Sequence, residues 1–195
     1  MHLLLVRRRF LQGLQLLLVL ACLWVSMAAR GQGVELASLQ TSQEDGALNL
    51  DFAARVTLPT AVEDALQRGV PIYFVAEARL LRNRWYWRDE RVARVSRSWR
   101  VAYQPLTNTW RVGLGGLHQT LDTLAEALNT VSRSAGWKLA DLSQLDPDSR
   151  YYVEFSYRLD TSQLPGPMQF GLGGLGGQGE WTVGVERVIR VEIAR

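Results

Sequence analysis

Three stretches of this sequence alternate apolar and polar residues with period two. From Pro71, the even positions Ile72, Phe74, Ala76, Ala78 and Leu80 are apolar, while Glu77, Arg79 and Asn83 fall on odd ones. From Tyr151, the odd positions Tyr151, Val153, Phe155, Tyr157 and Leu159 are apolar against Tyr152, Glu154, Ser156 and Arg158. From Trp181, the residues Val183, Val185, Ile189, Val191 and Ile193 share one face, opposed by Thr182, Glu186, Arg190 and Glu192. Successive strand side chains point to opposite faces, so such a pattern predicts half-buried antiparallel strands with one face in a core. Weaker alternation near 34–40, 47–57, 91–104 and 109–114 adds further strands, the first two joined by the turn-like Glu44-Asp45-Gly46.

Two segments depart from this period. Thr60-Ala-Val-Glu63 has the spacing of a capping box, and Gly69 and Pro71 supply the stop, so a short peripheral helix is predicted between them. A second helix is predicted from about Thr120 to Ala135, because Leu117, Leu121, Leu124, Leu128 and Val131 form one stripe and Gly136 follows.

RNRWYWRDERVARVSRSWR, residues 82–100, concentrates Trp and Arg. It fits a hairpin in which strand 71–87 turns at Arg88-Asp89-Glu90 into strand 91–104, with Ala93, Val95, Trp99, Val101 and Tyr103 on one face. Arg88, Arg91, Arg94, Arg97 and Arg100 recur every three residues, a step that alternates faces on a strand and drifts around the axis of a helix. The cations are thus not expected on one continuous stripe, which argues against nucleic acid and against a phospholipid surface as the partner. Trp and Arg stack across hairpins as ordinary packing. They are also enriched in binding hot spots, which makes Trp85, Trp87 and Arg88 the candidate partner-binding residues.

The first residues predict a compartment. Arg7, Arg8 and Arg9, the apolar run Leu16 to Val25 and the small-x-small Ser26-Met27-Ala28 have the three-part layout of a secretory signal peptide, expected over 1–28 with a single domain over 29–195. The apolar core is short beside the ~20 residues of a spanning helix, which favours cleavage over a retained anchor. Lipidation at Cys22 is a lesser alternative, since Leu-Trp-Val follows where a polar tether belongs. Membrane association is expected only through one of those two minor routes. Removing the three signal arginines from the 22 basic residues leaves 19 against 19 acidic, so the mature chain is neutral and offers no polyanion argument. Cys22 is the one cysteine, which leaves the mature domain without a disulfide, a thiolate nucleophile or a cysteine zinc site. About 165 residues can bury a core without such staples.

Motifs for chemistry fail on context. Gly171-Leu-Gly173-Gly-Leu-Gly176 matches the dinucleotide fingerprint, yet Gly177-Gln178-Gly179 and a strand follow where the pyrophosphate needs a helix N-terminus. GLGGL recurs at 113–117, before the second predicted helix, where an anion would have no cationic residue in 115–120 to meet it. His118 is the lone histidine of the mature chain and is read as a satisfied residue at the helix start. Asp89, Glu90, Asp146, Asp148 and Asp160 are the carboxylates from which a glycosidase pair would have to be drawn, and Asp146-Pro147-Asp148-Ser149 reads first as a turn. No catalytic, cofactor or metal residue is assigned.

RWYWRDE (84–90), SWRVAYQPLTNTWRV (98–112) and RLDTSQLPGPMQ (158–169), in that order, resemble an uncharacterised family of exported proteins of Gram-negative bacteria, domain of unknown function family 4390. The likeness runs from about Val34 onward, and its most specific mark is LDTSQLP (159–165) with Pro167 and Gln169. The resemblance implies export and no established activity. The Gly171–Gly179 run looks like a longer version of the family's connection at that point. Leu164-Pro165-Gly166-Pro167 cannot continue a ladder, because the prolines lack amide donors, and Leu164 and Pro165 join the candidate partner-binding residues.

These readings predict a mainly β (α+β) fold, an antiparallel β-sandwich or twisted sheet with two helices, preceded by an N-terminal signal helix. The expected function is that of an exported periplasmic or envelope module, non-enzymatic and binding another envelope protein. The alternative is a carboxylate-dependent hydrolase of a cell-wall or glycan substrate.

Overall fold

A computed structural model describes residues 33–84, 86, 88–160 and 183–193. Among these described residues, nine strands form two antiparallel sheets. The smaller has the order β1 (Gly33–Glu44), β2 (Ala47–Thr57), β7 (Arg133–Asp141). In the larger, β6 (Leu117–Leu121), β5 (Thr109–Leu114), β4 (Glu90–Gln104), β3 (Ile72–Arg82), β8 (Tyr151–Leu159) and β9 (Gly184–Val191) lie side by side in that order.

The alternation read in the sequence becomes the core. Ile72, Phe74, Ala76, Ala78 and Leu80 of β3 and the odd positions of β8 from Tyr151 to Leu159 are all buried. Leu48, Leu50, Phe52 and Ala54 of β2 are buried too. The Phe52 ring lies 4.9 Å from Phe155 and 5.5 Å from Tyr157, and meets Trp99 edge-on at 6.2 Å. Those ring contacts join the two inner faces, so the fold is a sandwich. Tyr157, wholly buried, donates its hydroxyl to the Val131 carbonyl at 3.1 Å, and burial pushes its ionisation far up.

Turn chemistry sets the registers. Asp45 and Gly46 both have positive φ, 52° and 70°, the conformation that a two-residue hairpin loop with right-handed strand twist demands, and they join β1 to β2 as predicted. Asp146 closes the turn before β8: it accepts from the Asp148 amide at 3.0 Å and from the Ser149 hydroxyl at 2.9 Å.

Both helices form, with two corrections to the sequence reading. The first, α1 (Thr60–Gln67), has Pro59 at its N-cap, so Thr60 lies inside the first turn. The Glu63 amide bonds to the Pro59 carbonyl at 3.1 Å, and the predicted Thr60–Glu63 capping box does not form. The stop is as predicted: Gly69 donates to the Leu66 carbonyl and Val70 to that of Ala65, the paired bonds of a Schellman end.

The second, α2 (Leu124–Val131), is shorter than the predicted 120–135. Leu117 and Leu121 belong to strand β6, which pairs with β5 across a tight turn at Gly115-Gly116, and β7 begins at Arg133. The real capping box is Thr123–Glu126, with the Thr123 hydroxyl accepting from the Glu126 amide at 3.2 Å and Glu126 accepting from the Thr123 amide at 3.3 Å. Gly136 is no helix stop. With φ 59° it makes a bulge in β7, and its amide donates to the Asp51 carboxylate at 2.6 Å. His118 accordingly stands on an exposed strand and not at a helix start.

Candidate functional site

The Arg-Trp segment is a piece of sheet. β3 pairs with β4 from Ile72–Val101 to Arg82–Glu90, so the connecting loop is 83–89 and the first strand ends five residues earlier than predicted. Arg97 faces the core side, opposite Ala76, whereas Arg94 and Arg100 face outward, opposite Arg79 and Tyr73. This is the alternation that a three-residue step imposes. Arg91 escapes it: Val92 is the extra residue of a bulge, which returns Arg91 to the outer face opposite Leu81.

Arg97 is the half-buried member. Its guanidinium donates to the Ser134 hydroxyl at 2.6 Å and lies 5.2 Å from the Trp137 ring centre, tying the larger sheet to β7 of the smaller. Burial lowers its pKa.

The base of the 83–89 loop is fastened by charge. Glu90 accepts from Arg82 Nε at 2.9 Å and from Arg84 at 2.5 Å, and the Arg82 bond leads the causes that hold its carboxyl below the usual range. Asp89 accepts from the Tyr152 hydroxyl at 2.6 Å and from the Arg84 amide at 3.2 Å. The same pair of bonds keeps Asp89 ionised, while that carboxylate and partial burial push the Tyr152 phenol up to about 12. Beside the loop lies a concavity of about 890 Å³ lined by Asn83, Asp89, Arg150, Tyr152, Arg190 and Ile193, among others.

Of the predicted partner-binding residues, Arg88 is exposed in this loop. Trp85, Trp87, Leu164 and Pro165 lie outside the described residues, as does the Gly171–Gly179 run. Between the two tryptophan positions, Tyr86 is 68% exposed. Sequence reading missed Tyr152, Arg150 and Arg190. In the sequence Tyr152 is one of the mostly polar outer positions of its strand, and only the β3–β8 pairing of Leu81 with Tyr152 brings it to the hairpin loop.

The middle of the outer face is an ion-paired ladder. Glu77 accepts from Arg94 at 2.7 Å, and Arg79 bridges Glu77 at 3.6 Å and Glu154 at 3.2 Å. The Arg94 hydrogen bond is the main reason that Glu77 titrates low, against a smaller opposing effect of burial. Glu77, Asp89, Glu90 and Asp146 all have depressed values in the fold. A depressed carboxylate stabilises the folded state above its unfolded value and withdraws that stability as pH falls through its folded one. Thermal melts are therefore expected to hold level near neutrality and to drop below about pH 4. Glu77→Gln should shrink that acid drop, and an unchanged pH profile in the variant would refute the assignment. Among the described residues no group of three or more His, Cys, Asp or Glu is placed to hold a metal ion.

A family model described as Domain of unknown function (DUF4390) matches residues 31–189. No curated protein matches the chain. No solved structure matches it either.

Proposed function

This chain belongs to the DUF4390 family, whose description assigns no activity, and on that premise we propose that it is an exported, non-catalytic binding module of the cell envelope. Its contact with another envelope protein is made at the 83–89 end of the larger sheet. The observation that carries the reading is the construction of that end. A loop bearing Trp85, Tyr86, Trp87 and Arg88 is clamped at its base by the Arg82–Glu90, Arg84–Glu90 and Tyr152–Asp89 bonds, next to the concavity of about 890 Å³. Clamping the base lowers the ordering cost of presenting aromatic and Arg anchors, the residue types that dominate hot spots. Export is supported by the basic, apolar and small-residue order of residues 7–28.

The hydrolase alternative is weaker on physical grounds. A glycosidase needs one carboxyl kept protonated at working pH, which takes a raised pKa. The described carboxyls with resolved shifts are all displaced the other way.

Affinity capture from the envelope fraction with a tagged chain tests the proposal. One defined partner should be retained, and a Trp85→Ala/Trp87→Ala double variant with an unchanged melting temperature should hold it at least about tenfold less tightly. Equal retention by the variant, or a captured chain whose N-terminus still precedes residue 29 and which fractionates with the cytoplasm, overturns it.

A further inference from the structure

At the far end of the outer face from the 83–89 loop, one row of paired residues crosses four strands. Tyr73 of β3 faces Arg100 of β4, Arg100 faces Gly113 of β5, and Gly113 faces His118 of β6. Arg111, two residues before Gly113 on the same face, stands diagonal to Arg100, and Ser98 completes the lining of a concavity of about 370 Å³.

Its charge is unbalanced where the middle of the face is balanced. Arg79 and Arg94 share Glu77 and Glu154, and Arg82 and Arg84 share Glu90. Among the described residues, neither Arg100 nor Arg111 has a carboxylate at ion-pairing distance. Glu77 is already engaged by two arginines. Asp160, whose amide donates to the Tyr73 carbonyl, is engaged in contacts of its own. Asp122 lies past the end of β6 and makes no ion pair with Arg111 among the described contacts. Two arginines at diagonal positions on neighbouring strands, about 7–8 Å apart and somewhat closer at Cβ, place like charges side by side, a repulsion that an anion between them relieves.

Gly113 is the second sign. Glycine inside a strand weakens it, and marks places where a ligand approaches the backbone. A Cβ at Gly113 would meet His118 Nδ1 at 3.4 Å, the Leu117 carbonyl at 3.7 Å and the Arg100 Cβ at 4.0 Å, all ordinary contacts, so Gly113 lies on the floor between Arg100 and His118 and leaves that floor to backbone.

We propose that this row is an anion site for a phosphate-type group, gripped by Arg100 and Arg111 with His118, Tyr73 and Ser98 as further donors. A guanidinium fork matches two phosphate oxygens, and two forks match a dianion; a single carboxylate would leave one of them unmatched. The phosphate belongs either to a small soluble ester or to a phospholipid headgroup, and the experiment separates these.

Inorganic pyrophosphate is titrated into the ¹⁵N-labelled chain at constant ionic strength, with chloride as the control salt. The Gly113 and His118 amides should shift saturably, and Arg100→Ala/Arg111→Ala should weaken binding at least tenfold. Arg94→Ala removes the same kind of charge from the same face and should leave binding within about twofold. In a second arm, vesicles of phosphatidylcholine with and without phosphatidylglycerol are sedimented with the chain. Saturable pyrophosphate binding without vesicle binding assigns a soluble ligand. Binding to phosphatidylglycerol vesicles, lost in the double variant, assigns a headgroup. The site is refuted if neither probe binds, or if Arg94→Ala weakens binding as much as the double variant does.

Discussion

Phe52→Ala is expected to cost about 3–5 kcal/mol of unfolding free energy, the range for deleting a buried aromatic ring and leaving its cavity. The ring is the one in the smaller sheet that touches four others: Trp99, Phe155 and Tyr157 across the sandwich and Trp137 on its own sheet. Its neighbours cannot collapse into the gap together, because Trp99 on β4 and Phe155 and Tyr157 on β8 hang from two strands held apart by β3 at the spacing that the backbone ladder fixes. A single domain has about 5–15 kcal/mol in total, so the variant should sit near the edge of folding. Urea unfolding followed by near-ultraviolet circular dichroism reads both the shift in midpoint and the loss of fixed aromatic packing. A loss below about 1 kcal/mol would mean that the two sheets do not meet through this ring.

The strands that were legible were those with one clean buried face, since period two survives whatever the partner strand is. β3, β8 and β9 follow the sequence pattern, and in each the apolar set points inward. The stretch 117–141 was illegible for a specific reason. Leu117, Leu121, Leu124, Leu128 and Val131 keep helical spacing, yet Leu117 is 78% exposed on β6, only Leu124, Leu128 and Val131 lie in α2, and β7 follows without a linker. Gly115-Gly116 and the Thr123–Glu126 box were the local signals dividing that run, and a regular leucine stripe outweighed them. Bulges are the other limit. The face reached by Arg91 depends on the extra residue Val92, and no periodicity announces where a bulge falls.

The same limit applies to sites. The loop 83–89 is contiguous and was visible as a cluster of Trp and Arg. The Tyr73–Arg100–Gly113–His118 row is made by register, from four residues spread over 46 positions of chain. Around GLGGL at 113–117 the residues 115–120 hold no cation, and the relevant ones, Arg100 and Arg111, precede it on the paired strands β4 and β5.

Ala76→Leu should destabilise by about 3 kcal/mol, the upper end of the ordinary cost of overpacking a filled core. Ala76 is wholly buried at the centre of β3, flanked by Arg97 on one side and Tyr157 on the other. Tyr157 stacks on Phe74 at 5.6 Å and lies 5.5 Å from Phe52, so the small side chain at 76 is what lets large rings from β2 and β8 meet over the middle of the sheet. Three added carbons there must displace either the Tyr157 ring, breaking its bond to the Val131 carbonyl, or the Arg97 guanidinium, breaking its bond to Ser134. Each route removes a link between the larger sheet and the segment from α2 into β7, so β7 amides should lose hydrogen-exchange protection first. A variant as stable as the parent, with β7 protection intact, would show that the centre of β3 has room to spare and that its alanines are not what the ring cluster requires.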